Sequence, residues 1–284
     1  MGSVGARALA VVARALGALM LVAVAAHAAR AACPVTAPTD LASSGQLSFG
    51  VIAPPPTANM PPINQIGFEY DLMAALAGQM CLKPAYTVLA FAGLFPGLDA
   101  KKFDAAVAGI GITAQREQSF AFVPYFFGGI RMVVRKGSGL YFKDEQAVCG
   151  HSIAVLAGSV EAHDIDKYKD ACPAGQQIDA RIMPTNNEIV EQLRKGTVEV
   201  AFLDWAPVAD IVERNPGDFA VASPILSGDG PGQPRHRVAI MLRKDDTAMK
   251  DAIGKALALL QADGSYERLL AKWGLQDGNI RQAG

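Results

Sequence analysis

Apolar runs alternate with amphipathic stretches along most of this chain. Residues 47–53, LSFGVIA, read as a buried strand, and a proline-rich loop follows at Pro54-Pro55-Pro56 and Pro61-Pro62. Residues 67–80 open with the acids Glu69 and Asp71 and then run apolar at helical spacing, which predicts a helix with its acids at the positive end of the dipole. Residues 86–90 read as a second strand. The stretch 94–116, LFPGLDAKKFDAAVAGIGITAQR, reads as a helix, a Lys-Lys turn, an apolar strand at 105–108 and a glycine-rich turn leading to Arg116. An aromatic turn is predicted at 124–129 and a strand of period-2 character at 130–135.

Lys136-Gly137-Ser138-Gly139 reads as a first crossing between two lobes, and a second linker spans 227–234, SGDGPGQP. Between them, strands at 152–156, 181–184 and 198–203 alternate with helices at 161–169 and 187–195. A strand at 236–243 then returns to the first lobe, and helices at 247–262 and 265–272 close the chain. This alternation predicts an α/β fold, two α/β lobes joined by two hinge strands. The lobes are expected at 29–135 with 228–284, and at 136–227. Two crossings make a hinge that permits closure over a ligand.

A weak internal repeat points to the cleft. LRKGTVEVAFLD at 193–204 can be laid on LDAKKFDAAVAG at 98–109, which places Glu199 on Asp104, Ala201 on Ala106 and Asp204 on Gly109. Each lobe then presents a strand end to a shared cleft, where open α/β sheets bind ligands. Arg116 brings a planar cation suited to a carboxylate, and Asp204 brings an anion suited to an ammonium. Gly109 and Gly111 leave backbone groups open to close approach.

The first 28 residues have the form of a secretory signal: Arg7 and Arg14, an apolar core at 15–26, and an Ala26-His27-Ala28 cleavage site. That core is too short to span a bilayer. Arg30 stands where a lipobox ahead of Cys33 would need an aliphatic residue. Removing 1–28 leaves 24 basic against 27 acidic residues, net −3 with histidine neutral, which is no nucleic-acid footprint. Four cysteines in an exported chain favour two disulfides, Cys149–Cys172 and Cys33–Cys81, over buried free thiols. No cysteine or histidine spacing suggests a metal, and no cofactor is expected.

Several motifs resemble those of the bacterial extracellular solute-binding proteins of family 3, the polar amino-acid group of ABC importers. Gly67-Phe68-Glu69-Tyr70-Asp71-Leu72, the 94–116 block, Pro124-Tyr125-Phe126, and the tail Asp263-Gly264-Ser265-Tyr266 with Lys272-Trp273 carry the resemblance, which runs from about Leu47 to Trp273. It implies a type II periplasmic binding-protein clamshell, a periplasmic location, a monomer, and an inner-membrane permease as partner. It also implies that Arg116 holds a carboxylate, Asp204 an ammonium, and that Gly109, Phe91 and the Gly158-Ser159 turn contact the ligand. Val160 and Trp205 are expected beside them. Gly111 departs from the family, standing where a Ser or Thr hydroxyl is usual, and Val160 and Leu156 replace polar residues. The cleft therefore suits an aliphatic or aromatic amino acid, or a small carboxylate, since a ligand's buried polar groups must find partners.

Bland readings stand beside these. Asp204 and Ser159 could be helix caps, Phe91 a core aromatic, and Trp205 could pack beneath the cleft. The four histidines, His27, His151, His163 and His236, are scattered and form no triad-like motif. An enzyme of the periplasmic cyclohexadienyl dehydratase kind is an alternative, for which Glu161 is the nearest general acid. A receptor or accessory protein acting in trans is another.

Overall fold

A computed structural model describes residues 33–52, 67–227 and 235–281, the side chains of Ala209 and Asp210 apart. The segment 1–28, the proline-rich loop and most of the second linker lie outside the described residues.

The first lobe is a five-stranded sheet. Its strands are β1 (Gln46–Ile52), β2 (Lys83–Leu89), β3 (Ala105–Ala106), β4 (Phe120–Phe127) and β10 (Arg237–Arg243), in the order β2-β1-β3-β10-β4. β1 runs parallel to β2 and β3, and β10 runs antiparallel to β3 and β4. The second lobe repeats the scheme with β5 (Ile130–Arg135), β6 (Ser152–Leu156), β7 (Asp179–Met183), β8 (Val200–Asp204) and β9 (Phe219–Val221), in the order β7-β6-β8-β5-β9. There β6 is parallel to β7 and β8, while β5 is antiparallel to β8 and β9.

Helices cover both faces of each sheet, as buried parallel strands require. In the first lobe α1 (Phe68–Gln79), α7 (Thr247–Ala262) and α8 (Ser265–Lys272) pack with Leu47, Phe49 and Val51 in one core. α2 (Phe91–Asp99) packs on the other face around Phe103. Gly50 faces that ring so closely that a Cβ there would come within 2.4 Å of it. In the second lobe α4 (Val160–Ala171) lies over Ile153, Val155 and Phe202. α5 (Asn186–Lys195) and α6 (Trp205–Arg214) cover Ala154, Ala201 and Leu203. The alternation of β6 and β8 between the two cores is the period of a strand.

The internal repeat is physical. Ala106 pairs with Gly50 in the first lobe, and Ala201 pairs with Ala154 in the second. The aligned acids do the same work: Asp104 accepts the Ser48 N–H at 2.8 Å and the Ser48 hydroxyl, and Glu199 accepts the Ser152 N–H at 3.0 Å and its hydroxyl at 3.3 Å. Each carboxylate fastens the start of the neighbouring parallel strand.

Three expectations change. β5 belongs to the second sheet, so the first crossing lies at Gly128-Gly129 and not at Lys136, and the lobe boundary after residue 135 moves with it. Lys136 to Gly139 instead forms a turn inside the second lobe, anchored by the Lys136 N–H on the Asp218 carbonyl at 2.8 Å. The aromatic turn at 124–129 is largely strand. Pro124 is tolerated there because β4 is an edge strand and its register with β10 shifts beside the proline, where no ladder N–H is needed. Finally, the glycine-rich turn does not lead straight to Arg116: a short helix, α3 (Ala114–Ser119), capped by the Thr113 hydroxyl, carries the arginine.

The second lobe carries the Cys149–Cys172 disulfide, with Cα atoms 5.5 Å apart. Cys33 and Cys81 are also in disulfide linkage, and no described cysteine is free.

Candidate functional site

The two central strand ends face each other where the lobes meet. A Cβ on Gly109, just beyond β3, would lie 3.2 Å from Asp204 Oδ2 at the end of β8. Asp204 does not cap α6 with its side chain, so its carboxylate is free to face the cleft. Gly109 adopts φ +63, and its N–H is committed to Glu69 Oε1 at 2.8 Å. Glu69 also accepts the Tyr125 hydroxyl, and desolvation pushes its carboxyl up against the pull of those two hydrogen bonds.

Arg116 links the lobes. Its Nη1 donates to the Gly111 carbonyl at 2.6 Å, and its Nη2 donates across to the Gly158 carbonyl at 2.8 Å. The guanidinium lies 5.7 Å from the Phe91 ring centre and 5.1 Å from that of Phe95, within cation–π range. Burial lowers its basicity, with Glu161 and Asp204 acting the other way. An arginine remains a cation under such a shift. Two of its five N–H donors are used in these carbonyl contacts, which leaves others for a bound acid.

The second lobe contributes the turn into α4. Gly158 has φ +77, a conformation that L side chains rarely adopt, and this aims its carbonyl at Arg116. The Ser159 hydroxyl accepts the Ala162 N–H at 3.1 Å, so it is the helix cap. Val160 Cγ2 would lie 2.9 Å from a Cβ on Gly111, which brings the two lobes into contact there.

Two residues expected to touch a ligand, Phe91 and Trp205, are buried among aromatic neighbours. Phe91 opens α2, is buried, and meets Phe95 edge-on at 5.7 Å, which makes it a floor under Arg116. Trp205 does not line the cleft. It is 4% exposed, stacks on Phe126 at 5.3 Å, and donates its indole N–H to the Phe127 carbonyl at 3.1 Å. Its large apolar surface and its one donor are both satisfied in the first-lobe core.

Two further residues enter the site. His236, just ahead of β10, has a side chain 8% exposed and presents Nε2 to Asp204 Oδ1 at 3.6 Å. Burial opposes its charge, but the Asp204 carboxylate, the Glu161 charge and a backbone contact at Ser227 outweigh it and push the imidazole up to about 9. Glu161 is the other. It stands in the first turn of α4, is 4% exposed, and its Oε1 has no hydrogen-bond partner. Burial and the Asp204 charge push its carboxyl up to about 7, with His236 pulling the other way. The glycines at 111 and 128 make room for the His236 imidazole.

Arg116, Asp204, His236 and Glu161 thus form a nearly balanced charge cluster between the lobes. Such a cluster can hold a small ionic ligand.

Residues 47–276 match the model of the bacterial extracellular solute-binding proteins, family 3. The chain is similar to the lysine/arginine/ornithine-binding periplasmic protein of Escherichia coli (strain K12), 27% identical over 73% of this chain and 78% of that protein. It is similar also to ABC transporter arginine-binding protein 1 of the same organism, 29% identical over 80% of this chain and 90% of the relative. Among solved structures, holo ArgBP from T. maritima superposes with a TM-score of 0.66 at 28% identity, over 81% of this chain and 96% of that one. An ancestral arginine-binding protein bound to glutamine gives a TM-score of 0.70 at 26% identity, over 82% and 99%. With most of its length inside that family match and a fold of the same kind, the chain belongs to the bacterial extracellular solute-binding proteins of family 3.

Proposed function

We propose that this protein is the substrate-binding component of an ABC importer, that it takes a small amino acid or related carboxylate between its lobes, and that it delivers it to an inner-membrane permease. Export by the 1–28 segment would place it in the periplasm as a monomeric carrier. The observation that carries this reading is Arg116, whose guanidinium joins a carbonyl of each lobe and keeps donors to spare. A carboxylate arriving there would gain charge-assisted hydrogen bonds and favour lobe closure at the same time. Gly109, Gly111, Gly158, Ser159 and Val160 form the walls of this site, and Asp204 is its second charge. The relatives carry the names of binding and transport proteins, and this supports a carrier over a dehydratase or a receptor acting in trans.

A thermal-shift panel of L-amino acids, small organic acids and prephenate tests the proposal. A ligand that binds only the folded state raises the melting temperature by mass action. Arg116→Ala is expected to keep the fold and lose roughly 2–3 kcal/mol of binding, about 30–150-fold in affinity. Undiminished binding by that variant would refute the site. Turnover of prephenate would restore the enzymatic reading.

A further inference from the structure

We infer that the ligand of this cleft is a small carboxylate without an α-ammonium group, because the imidazole of His236 already occupies the amine's seat opposite Asp204. This rests on the proposed binding site and narrows its ligand class.

A zwitterion needs both charges of the site at once, Arg116 for the acid and Asp204 for the amine. Asp204 instead faces His236 Nε2 at 3.6 Å. The histidine is held in place, since its side chain is buried and its carbonyl accepts the Gly128 N–H at 2.9 Å. The chain is also shaped around the ring. A Cβ on Gly128 would lie 2.2 Å from Nε2, and one on Gly111 would lie 3.2 Å from Cδ2. Neither glycine has a positive φ, so the backbone does not demand glycine at either position. The missing side chains leave space that the imidazole fills. Gly111 is also the position where the family resemblance leads one to expect a hydroxyl.

The charges follow the shape. With the imidazole pushed up to about 9, Asp204 has a cationic neighbour at neutral pH. An incoming ammonium would meet that cation, and like charges brought together in a closed site disfavour binding. Glu161 Oε1, buried and without a partner, can accept a hydrogen bond from a ligand hydroxyl or, when protonated, donate one to a ligand carbonyl. A 2-hydroxy or 2-oxo acid supplies such an oxygen, and Arg116 is left to take the carboxylate.

Calorimetric titration with matched series tests this: L-leucine and L-phenylalanine, each against its 2-hydroxy, 2-oxo and unsubstituted acid. The oxidised protein is expected to bind amine-free members at least about tenfold more tightly than the amino acid. His236→Ala vacates the seat and is expected to move the preference toward the amino acid by a similar factor. His236→Asn serves if the alanine variant fails to fold, which circular dichroism reports. An amino acid bound as tightly as its amine-free partners by the wild type would overturn this inference and leave the Arg116 site standing. Binding of neither series would overturn both the inference and the site.

Discussion

Gly128 decides whether His236 can reach Asp204. A methyl group there would overlap the imidazole, yet the backbone would accept alanine. Gly128→Ala is therefore expected to destabilise the protein by about 1–3 kcal/mol through overpacking. The double variant Gly128→Ala/His236→Ala is expected to recover most of that loss, because the clash is gone. Chemical denaturation of the four proteins of the cycle measures this, and additive losses would show that the glycine matters for another reason. At this scale Arg116 and Asp204 stand out in the sequence as a cation after one strand end and an anion at its repeat. His236 was not legible. Its role depends on two glycines far from it in sequence, Gly111 and Gly128, whose meaning appears only once the lobes are folded together. Trp205 misleads for a related reason, since its neighbour Asp204 faces the cleft while the indole turns into the core.

Among the elements, the helices and inner strands were largely legible, and α7 and α8 fall where residues 247–262 and 265–272 were expected. Their apolar spacing is long enough to fix the period. The period-2 alternation at 130–135 predicts a strand, but alternation does not say which sheet a strand joins, and β5 pairs in the second lobe. β9, only Phe219–Val221, is too short to carry a period. The element with the clearest covalent tie is α4, whose C-terminal end is bonded through Cys172 to Cys149 ahead of β6. Cys149→Ser/Cys172→Ser is expected to lose about 3 kcal/mol of stability. Urea unfolding with and without reductant checks this. Because α4 also carries Glu161 and follows Gly158, ligand affinity should fall with the disulfide. An unchanged affinity would mean that the packing of Ile165 and Tyr168 into the core with Phe202 alone holds the helix in place.

For the molecule as a whole, the buried cluster sets the response to pH. Glu161 rises from 4.5 to about 7 and His236 from 6.5 to about 9, so the folded state binds more protons than the unfolded one between about pH 4.5 and 9. Stability then falls as pH rises across that window. The carboxylates of Asp40, Glu199 and Asp263 are shifted down, and they act only at lower pH, where their stabilisation is lost as they protonate. The melting temperature is expected to be higher at pH 6 than at pH 9, with a smaller difference in His236→Ala. Equal melting temperatures would mean that the cluster is solvated when the lobes open. The clamshell itself was legible from the alternation of strands and helices and from the repeat. The charge balance of its cleft was not, because it depends on how four residues from both lobes and the hinge meet. A crystal structure with the acid bound most tightly in the panel would show whether Arg116 holds its carboxylate. The ligand's carboxylate is expected within hydrogen-bond distance of the Arg116 guanidinium, between Gly111 and Gly158. A ligand seated elsewhere, with Arg116 holding only the two backbone carbonyls, would contradict it.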